Sequence, residues 1–263
     1  MSLRNRLLDL GQQLADVYVA SRPERRPTAA AASKTRIIAH RGNTGSDYQE
    51  NTLPAFLRCL ELGVGGIELD IQWTRDDVPV VIHDADTLRV FGTPGIIIAE
   101  TSFETLTRVQ PLVCSLEEVI HRFAGRCHLM IEIKAETIKS RHFSILQKLL
   151  SNLVPRQDYH LLALGFELVD GLPLPLKSAV MMVAETNTRE IIDGVMARGL
   201  PGCSGHYLLF TRNHRKRLIE QGCQFGVGFV RSRYGLYREI HGGSRWIFTN
   251  HAGPVQGWLD DLQ

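Results

Sequence analysis

Ionisable side chains stand at the carboxyl ends of four short apolar runs in this sequence. They comprise two histidines, three carboxylates, an arginine and a lysine, namely His40, His83, Glu68, Asp70, Glu132, Arg41 and Lys134. Carboxylate oxygens are the ligands that Mg²⁺ or Ca²⁺ prefer, and no paired cysteine or histidine spacing indicates zinc. An arginine and a lysine can bind a phosphate, and two histidines can act as general base and general acid across a scissile bond. These residue types together predict phosphodiester cleavage assisted by a divalent cation.

The spacing of these residues places them on shared strand faces. Side chains two positions apart point the same way in a strand, so Glu68 shares a face with Asp70, and Glu132 shares one with Lys134. Each pair alone has a plainer explanation, as an exposed strand end, a helix cap or a surface ion pair. All of them, however, fall at the same end of successive strands, and desolvating an unpaired charge costs several kcal/mol. We therefore expect them to converge at one mouth of the fold.

Apolar runs rich in β-forming residues alternate with helical patterns over residues 36–263. Eight such runs are present, at residues 36–40, 66–71, 79–84, 129–134, 159–165, 178–185, 225–230 and 245–250. The alternation predicts an α/β fold, and eight parallel strands in one unit of this size predict a (β/α)8 TIM barrel. An open doubly wound sheet is the alternative, but the G-x-G-x-x-G turn is absent after the first run. The link between the second and third runs is too short for a crossover helix, which leaves their connection open.

The first 35 residues predict an appendage to the barrel. Residues 1–20 indicate an N-terminal amphipathic helix, because apolar residues recur at spacings of 3 and 4. The apolar stripe consists of Leu3, Leu7, Leu10, Leu14 and Val17. Residues 21–35 contain prolines, small residues and charges and predict a linker to the barrel domain at 36–263. We expect the helix to pack on the barrel or on a second subunit, so a homodimer stays open, and membrane contact through its flanking arginines is the less favoured alternative.

Composition narrows the class of protein. The chain has 263 residues, a net charge of +2 and 44% hydrophobic residues, which predicts a globular fold. A nearly neutral charge gives no reason to expect a nucleic-acid partner. The 5 cysteines lack paired spacing and indicate reduced thiols. No apolar run approaches the roughly 18 residues of a membrane span, and no signal peptide is evident, so we expect a cytoplasmic location.

Seven ordered blocks of the sequence resemble the glycerophosphodiester phosphodiesterase family. They are HRG at 40–42, ENTL at 50–53 with AF at 55–56, IELD at 67–70, TRD at 74–76, VVIHD at 80–84, SLEEV at 115–119 and IEIK at 131–134. The resemblance implies a (β/α)8 barrel, a divalent cation (Mg²⁺ or Ca²⁺), and hydrolysis of small glycerophosphodiesters to an alcohol and sn-glycerol 3-phosphate. The mechanism it implies is attack on phosphorus by the neighbouring glycerol hydroxyl, giving a cyclic phosphate that water then opens.

The resemblance also implies roles for individual residues. Metal ligands would be Glu68, Asp70 and Glu132, the acid/base pair would be His40 and His83, and the phosphate-binding residues would be Arg41 and Lys134. Glu50 and Asn51 would support the site from beside the mouth. The alternative for these last two residues is simple capping of the helix that follows them.

The second half of the chain departs from the family pattern. Gly165-Phe166 replaces Ser-Phe, residues 228–231 replace a Trp-Thr-Val-Asn run, and Thr249-Asn250-His251 replaces Thr-Asp. These positions line the substrate side of the barrel in the family, so the alcohol of the substrate stays open. Three alternatives remain. They are a phospholipase C- or D-like enzyme acting on a lysophospholipid or phosphoinositide, a non-catalytic phosphate-binding protein on the same barrel, and a metal amidohydrolase, which the missing H-x-H pair on the first strand disfavours.

Overall fold

The computed structural model describes residues 17–43, 48–92, 95–134 and 138–263. Residues 1–16 of the predicted N-terminal helix lie outside this part of the chain. Residues 17–21 are helical, and Val19 belongs to the main apolar core. The segment predicted as a linker contains a four-residue helix, α1, at Ala29–Ala32. The boundaries between helix, linker and barrel domain stay a prediction.

Eight parallel strands close into a barrel, which confirms the predicted (β/α)8 architecture. The strands of the sheet are β1 (Arg36–Ala39), β2 (Gly66–Trp73), β3 (Pro79–Val81), β4 (His128–Ile133), β5 (Tyr159–Ala163), β6 (Val180–Ala184), β7 (Gly202–His206), β8 (Gln224–Gly228) and β9 (Trp246–Thr249). All but β3 are parallel, in the order β1-β2-β4-β5-β6-β7-β8-β9, and β9 pairs with β1 to close the barrel. The carboxyl ends of the eight barrel strands therefore share one rim, where the active sites of such barrels lie.

Helices cover the outside of the barrel. They are α2 (Leu53–Glu61), α3 (Leu88–Phe91), α4 (Phe103–Val109), α5 (Leu116–Phe123), α6 (Ser140–Leu149), α7 (Phe166–Gly171), α8 (Leu174–Lys177), α9 (Thr188–Arg198), α10 (Arg212–Glu220), α11 (Arg233–His241) and α12 (Ala252–Asp260). Polar caps fix several of their starts, as in α5, where Ser115 and Glu118 form a reciprocal capping box. Within the described ranges, no helix is both long enough and apolar enough to cross a membrane.

The prediction that residues 79–84 supply one of the eight parallel barrel strands is wrong. β3 runs antiparallel to β2, with Val81 opposite Ile71. A parallel return needs a crossover of a dozen or more residues, and the short turn after β2 allows only a hairpin. β3 is not one of the strands that close the barrel. The hairpin nevertheless brings His83, which follows β3, to the cavity at the carboxyl rim, where the sequence predicted it.

With residues 79–84 outside the parallel set, the barrel needs one further strand. That strand is β7, which the sequence pattern did not predict. Its sequence, Gly-Cys-Ser-Gly-His, lacks the β-branched and aromatic residues that favour strands. A side chain at Gly202 would place its Cβ 1.9 Å from the backbone oxygen of Gln224 on β8, so only glycine fits at this position. The close approach of the two backbones therefore explains why the sequence of β7 is rich in glycine and resembles that of a turn.

A small apolar cluster fills the inside of the barrel. Its buried members alternate with outward-facing residues along the strands, and they are Ile38, Met130, Leu162, Met181, Trp246 and Phe248. Two of them, Leu162 and Phe248, also line the cavity at the carboxyl rim. The inner core is thus the floor of that cavity.

Two buried histidines pair inside the barrel, away from the carboxyl rim. Nε2 of His128 and Nδ1 of His160 are 2.8 Å apart, and the ring of Trp246 lies against both. Burial lowers the pKa of His128 to about 4 and that of His160 to about 3. Both side chains are therefore neutral in the folded protein under conditions where an unfolded histidine, with a pKa near 6.5, begins to bind a proton.

This pair predicts a loss of stability in mild acid. Between about pH 6.5 and pH 4 the unfolded chain binds more protons than the folded one, so stability falls as the pH falls, by about 1.4 kcal/mol per pH unit for each histidine. We expect the decline in melting temperature over this range to be shallower in His160→Gln than in the parent protein. His121→Gln, a change at an exposed histidine, is the matched control. An equal decline in all three proteins would contradict the assignment.

Candidate active site

Three carboxylates meet where β2 and β4 run side by side. β2 carries Glu68 and Asp70, and the register of the two strands places Asp70 next to Glu132. One oxygen of each of the three carboxylates lies within 4.8 Å of the other two. Glu68 and Asp70 are almost completely buried, with 2% and 1% of their surface exposed. The spacing of two in each strand thus brings the predicted metal ligands together, as the sequence indicated.

Burial alters how strongly these carboxyl groups hold protons. Burial, followed by the charges of Asp70 and Glu132, raises the pKa of Glu68 well above its usual value. Burial and the charge of Asp70 likewise raise the pKa of Glu132. Burial acts in the same direction on Asp70, but Lys134 and Arg41 lower its pKa overall. Three hard oxygen donors that carry excess negative charge at one buried point fit a divalent cation.

Two cationic side chains border the acidic cluster. Nζ of Lys134 lies 2.8 Å from Oδ1 of Asp70 and also contacts the carboxylate of Glu132. Nε of Arg41 is 3.3 Å from Oδ2 of Asp70, and the backbone N–H of Arg41 donates to Oε2 of Glu68 at 2.8 Å. Arg41 adopts a left-handed backbone conformation with φ of 55°, which carries the chain from β1 across this cluster. A phosphate bound beside the carboxylates would therefore meet the positive charges of Arg41 and Lys134.

His40 is held in one orientation at the end of β1. Its Nδ1 lies 2.7 Å from Oδ1 of Asn250. An amide oxygen only accepts hydrogen bonds, so Nδ1 carries the hydrogen and Nε2 is left with a lone pair. That Nε2 is 3.9 Å from Oε2 of Glu68, and the ring of Phe229 stands edge-on to the imidazole at 5.0 Å. Burial, with a smaller contribution from Arg41, lowers the pKa of His40 to about 4.

His83 is oriented by a second set of contacts. Its Nδ1 lies 2.6 Å from Oδ1 of Asp84, so this histidine also keeps its hydrogen on Nδ1 and leaves a lone pair on Nε2. Arg89 donates to Asp84 and, through Nη2, to Oε1 of Glu50 at 2.6 Å. Glu50 in turn accepts from Nη1 of Arg41 at 3.0 Å. A chain of paired charges therefore links the two histidine-bearing segments.

Both residues predicted to support the site have side-chain contacts with its charged groups. Nδ2 of Asn51 donates to Oδ2 of Asp70 at 2.9 Å, and Asn51 adopts a left-handed φ of 58°. Glu50 orients Arg41, as described above. The cap of α2 is Thr52, whose hydroxyl accepts from the backbone N–H of Ala55. Glu50 and Asn51 thus face the acidic cluster, and the helix takes its cap from the next residue.

One cavity at the carboxyl rim gathers these groups. Its volume is about 380 Å³, within the range of roughly 300–1,000 Å³ typical of small-molecule sites. Six of the predicted site residues line it, namely His40, Arg41, Glu68, His83, Glu132 and Lys134. The opposite wall comes from β5 to β9 and the residues that follow these strands, and it combines apolar side chains with Ser204, His206 and Glu185. Two imidazoles, carboxylates of the acidic cluster and two cationic side chains therefore face one cavity and can contact a single ligand.

Sequence reasoning missed two partners of the site. Asn250 was assigned only to the substrate side, yet its amide fixes the orientation of His40. Arg89, which ties Asp84 to Glu50, was not singled out. The sequence did offer a signal for Asn250. It is a side-chain amide directly after the last strand, and in a closed barrel the last strand lies beside the first, which ends at His40. Nothing in the local pattern around Arg89 marks it.

Comparison with known proteins identifies related sequences. The model of the glycerophosphoryl diester phosphodiesterase family matches residues 40–161. A glycerophosphodiester phosphodiesterase of Bacillus altitudinis is 34% identical over 125 residues, which are 43% of this chain and 50% of that protein. One from Caldanaerobacter subterraneus is 48% identical over 64 residues, covering 24% of this chain and 26% of the relative. The chain thus matches half or less of the length of these relatives.

Solved structures share the fold over most of the chain. A putative glycerophosphoryl diester phosphodiesterase of Agrobacterium tumefaciens has a TM-score of 0.74 at 14% identity, covering 86% of this chain and 98% of its own. A phosphodiesterase of Oleispira antarctica, solved with the product sn-glycerol-3-phosphate, has a TM-score of 0.69 at 18% identity and covers 88% and 99%. At these identities the likeness establishes the barrel.

Proposed function

We propose that this protein, whose residues 40–161 belong to the glycerophosphoryl diester phosphodiesterase family, hydrolyses glycerophosphodiesters to an alcohol and sn-glycerol 3-phosphate. The observation that carries the proposal is the convergence of three carboxylates, two cations and two oriented histidines on one cavity. Each of these groups has a distinct task in cleaving a phosphodiester. The matched segment contains the whole constellation apart from Asn250.

A divalent cation would be held by Glu68, Asp70 and Glu132. When bound, it supplies positive charge that stabilises the phosphorane-like transition state. Hard oxygen ligands favour Mg²⁺ or Ca²⁺, and metal titration decides between the two ions. Asn51 donates to Oδ2 of Asp70 and so helps to fix the orientation of this carboxylate.

Arg41 and Lys134 would bind the phosphate. Both contact Asp70 of the acidic cluster, so they stand beside the carboxylates that would hold the cation and can meet a phosphate bound there. Glu50 anchors one end of the Arg41 guanidinium and limits its motion. A phosphate bound there would lie in the cavity that both histidines line.

His40 and His83 would exchange protons with the substrate. Each imidazole has its Nδ1 hydrogen fixed by an acceptor, so each offers Nε2 to the cavity. The ring with a lone pair on Nε2 accepts the proton of the attacking glycerol hydroxyl, and the other ring, which must carry a proton on both nitrogens at that moment, donates its Nε2 proton to the oxygen of the leaving alcohol. Water later opens the resulting cyclic phosphate, with the roles of the two rings exchanged.

Release of sn-glycerol 3-phosphate tests this function. We expect the purified protein to release it from at least one soluble glycerophosphodiester when Mg²⁺ or Ca²⁺ is present, and to stop when EDTA is added. Readdition of the metal should restore the rate. A panel containing choline, ethanolamine, glycerol and inositol diesters, measured by a coupled glycerol 3-phosphate assay, covers the common alcohols. Complete inactivity on this panel and on acylated diesters would reject the proposal.

We also propose that the protein works in the cytoplasm. All 5 cysteines are free thiols. Burial raises the pKa of Cys59, Cys114, Cys127 and Cys203 to about 12, which keeps them protonated and unreactive. Free thiols are typical of reducing compartments. Fractionation of the native host, with the protein found among cytoplasmic markers, is the expected result.

A further inference from the structure

We propose that a cavity at the amino-terminal end of the barrel is a second binding site and that its ligand is a phosphorylated polyol. This amino-face cavity lies where the chain enters β1, β2, β4 and β5, and its polar lining includes Arg36, Arg126, Asp158 and Gln256. Its volume is about 610 Å³, within the range of roughly 300–1,000 Å³ typical of small-molecule sites. Among the described residues none lines both this cavity and the catalytic one, because the two lie at opposite ends of the parallel strands.

Two arginines in this lining have no acidic partner among the described residues. Arg36 is the first residue of β1, Arg126 lies two residues before β4, and both are exposed. Nη1 of Arg126 donates to the backbone oxygen of Arg122 at 3.2 Å, and neither guanidinium is paired with a carboxylate in the part of the chain that the structure describes. Guanidinium groups bind phosphate through paired, charge-assisted hydrogen bonds. The two side chains can therefore bind an anion in the cavity.

A third arginine adds to the positive charge beside the cavity. The backbone oxygen of Arg245, which precedes β9, accepts from the N–H of Arg36 at 2.8 Å, so the two arginines are neighbours. Burial and then the charge of Arg36 lower the pKa of Arg245, and Nε of Arg245 is buried without a partner among the described residues. A bound anion would offset the repulsion between these like charges.

Two hydrogen-bond acceptors in the lining lack donors. Gln256 of α12 is 7% exposed, and its Nε2 donates to Oδ1 of Asp260 at 2.7 Å. Its Oε1 is buried and has no partner within the described ranges. One carboxylate oxygen of Asp158 accepts from the backbone N–H of Val154 at 2.7 Å, and no described residue donates to the other. A buried acceptor without a donor costs free energy, so both side chains favour a ligand with hydroxyl groups.

A phosphorylated polyol satisfies both sets of groups at once. Its phosphate can pair with Arg36 and Arg126, and its hydroxyls can donate to Gln256 and Asp158. Inorganic phosphate brings no polyol hydroxyls to the acceptors, and an uncharged polyol leaves the guanidinium groups unpaired. The carboxyl ends of α2 and α5 lie at this face, and their partial negative charge favours ligand hydroxyls over a second anionic group.

Amide shifts in NMR spectra locate the binding. Gly63, Gly65 and Gly125 line the amino-face cavity, whereas Gly205 and Gly228 line the catalytic cavity, so assigned glycine amides report on the two sites separately. The probe is sn-glycerol 3-phosphate, titrated into isotope-labelled protein with and without Mg²⁺. We expect saturable shifts at the first three glycines in both conditions, with a dissociation constant at or below about 1 mM.

Charge variants test the two arginines. In the double variant Arg36→Gln with Arg126→Gln, we expect the affinity measured from these shifts to fall by about tenfold or more, because both phosphate partners are lost. Arg108→Gln with Arg189→Gln is the matched control. It removes the same charge from exposed arginines outside the cavity and should change the affinity by less than about twofold. Circular dichroism melting curves establish that both variants are folded.

Removal of the ligand hydroxyls tests the acceptors. Propyl phosphate has the carbon chain and the phosphate of sn-glycerol 3-phosphate without its hydroxyls, and we expect the parent protein to bind it about tenfold more weakly. In Gln256→Leu, which keeps a side chain of similar size without the acceptor, this difference should shrink to about threefold, because Asp158 remains. The comparison in the parent protein tests the acceptors even if this variant does not fold.

Three results overturn the proposal. The first is the absence of saturable shifts at Gly63, Gly65 and Gly125, whether or not Gly205 and Gly228 respond. The second is an equal loss of affinity in the two double variants, which indicates a general effect of charge. The third is equal binding of the two phosphates by the parent protein. None of these results bears on the phosphodiesterase function, which release of sn-glycerol 3-phosphate measures.

Discussion

His40→Gln and His83→Gln each reduce kcat by about 10²–10⁴, the range usual for loss of a general acid or base. Both imidazoles line the cavity with Nδ1 bound to an acceptor, and the proposed mechanism has each of them remove or supply one proton. Glutamine fills a similar space but cannot exchange a proton near neutral pH. We expect KM to change little, because the phosphate is held by other side chains. Steady-state kinetics on a soluble glycerophosphodiester measure both parameters.

Two further variants distinguish proton transfer from packing. His121→Gln, an exposed change on α5, should leave kcat unaltered. Asn250→Ala removes the acceptor that fixes the His40 ring and should lower kcat by about tenfold, while Asn250→Asp, which keeps an acceptor, should recover part of the rate. If His40→Gln lost less than Asn250→Ala, the imidazole of His40 would have no direct part in the chemistry.

Alternating residues in strands made much of the site predictable. Glu68 and Asp70, like Glu132 and Lys134, share a face wherever the chain is extended, and the barrel then requires strands β2 and β4 to present those faces at one rim. The observed separation of no more than 4.8 Å between one oxygen of each carboxylate follows from that register. The sequence was sufficient here because the spacing that brings each pair of side chains together lies within a single strand.

Features that depend on closure of the barrel were not predictable in the same way. Asn250 meets His40 only because β9 pairs with β1 across more than 200 residues of chain. β7 was not predicted because its glycines are required by the close approach of neighbouring strands, β8 at Gly202 and β6 at Gly205, rather than by a strand-forming pattern. The parallel assignment of residues 79–84 failed because an apolar run indicates a strand but not its direction, which the length of the preceding turn decides.

The acidic cluster predicts the second large effect. Glu132→Gln should weaken divalent-cation binding by at least tenfold and reduce kcat/KM by about 10³, because it removes one of three hard oxygen donors and leaves Lys134 without part of its partner charge. Isothermal titration calorimetry with Mg²⁺ and with Ca²⁺ measures binding without reference to activity. Glu117→Gln on the exposed face of α5 is the matched control.

The same cluster makes the metal's effect on stability depend on pH. The pKa of Glu68 is raised in the metal-free fold, so the stability that its protonation provides is present below the unfolded value near 4.5 and is lost as the pH rises through the folded value. A bound cation replaces the proton. At about 100 times its Kd it should stabilise the protein by about 2.7 kcal/mol, or roughly 5–10 °C in melting temperature. We expect this shift to be larger at pH 8 than at pH 5 and to shrink in Glu132→Gln. A shift that is equal at both pH values, or unchanged in the variant, would place the cation outside this cluster.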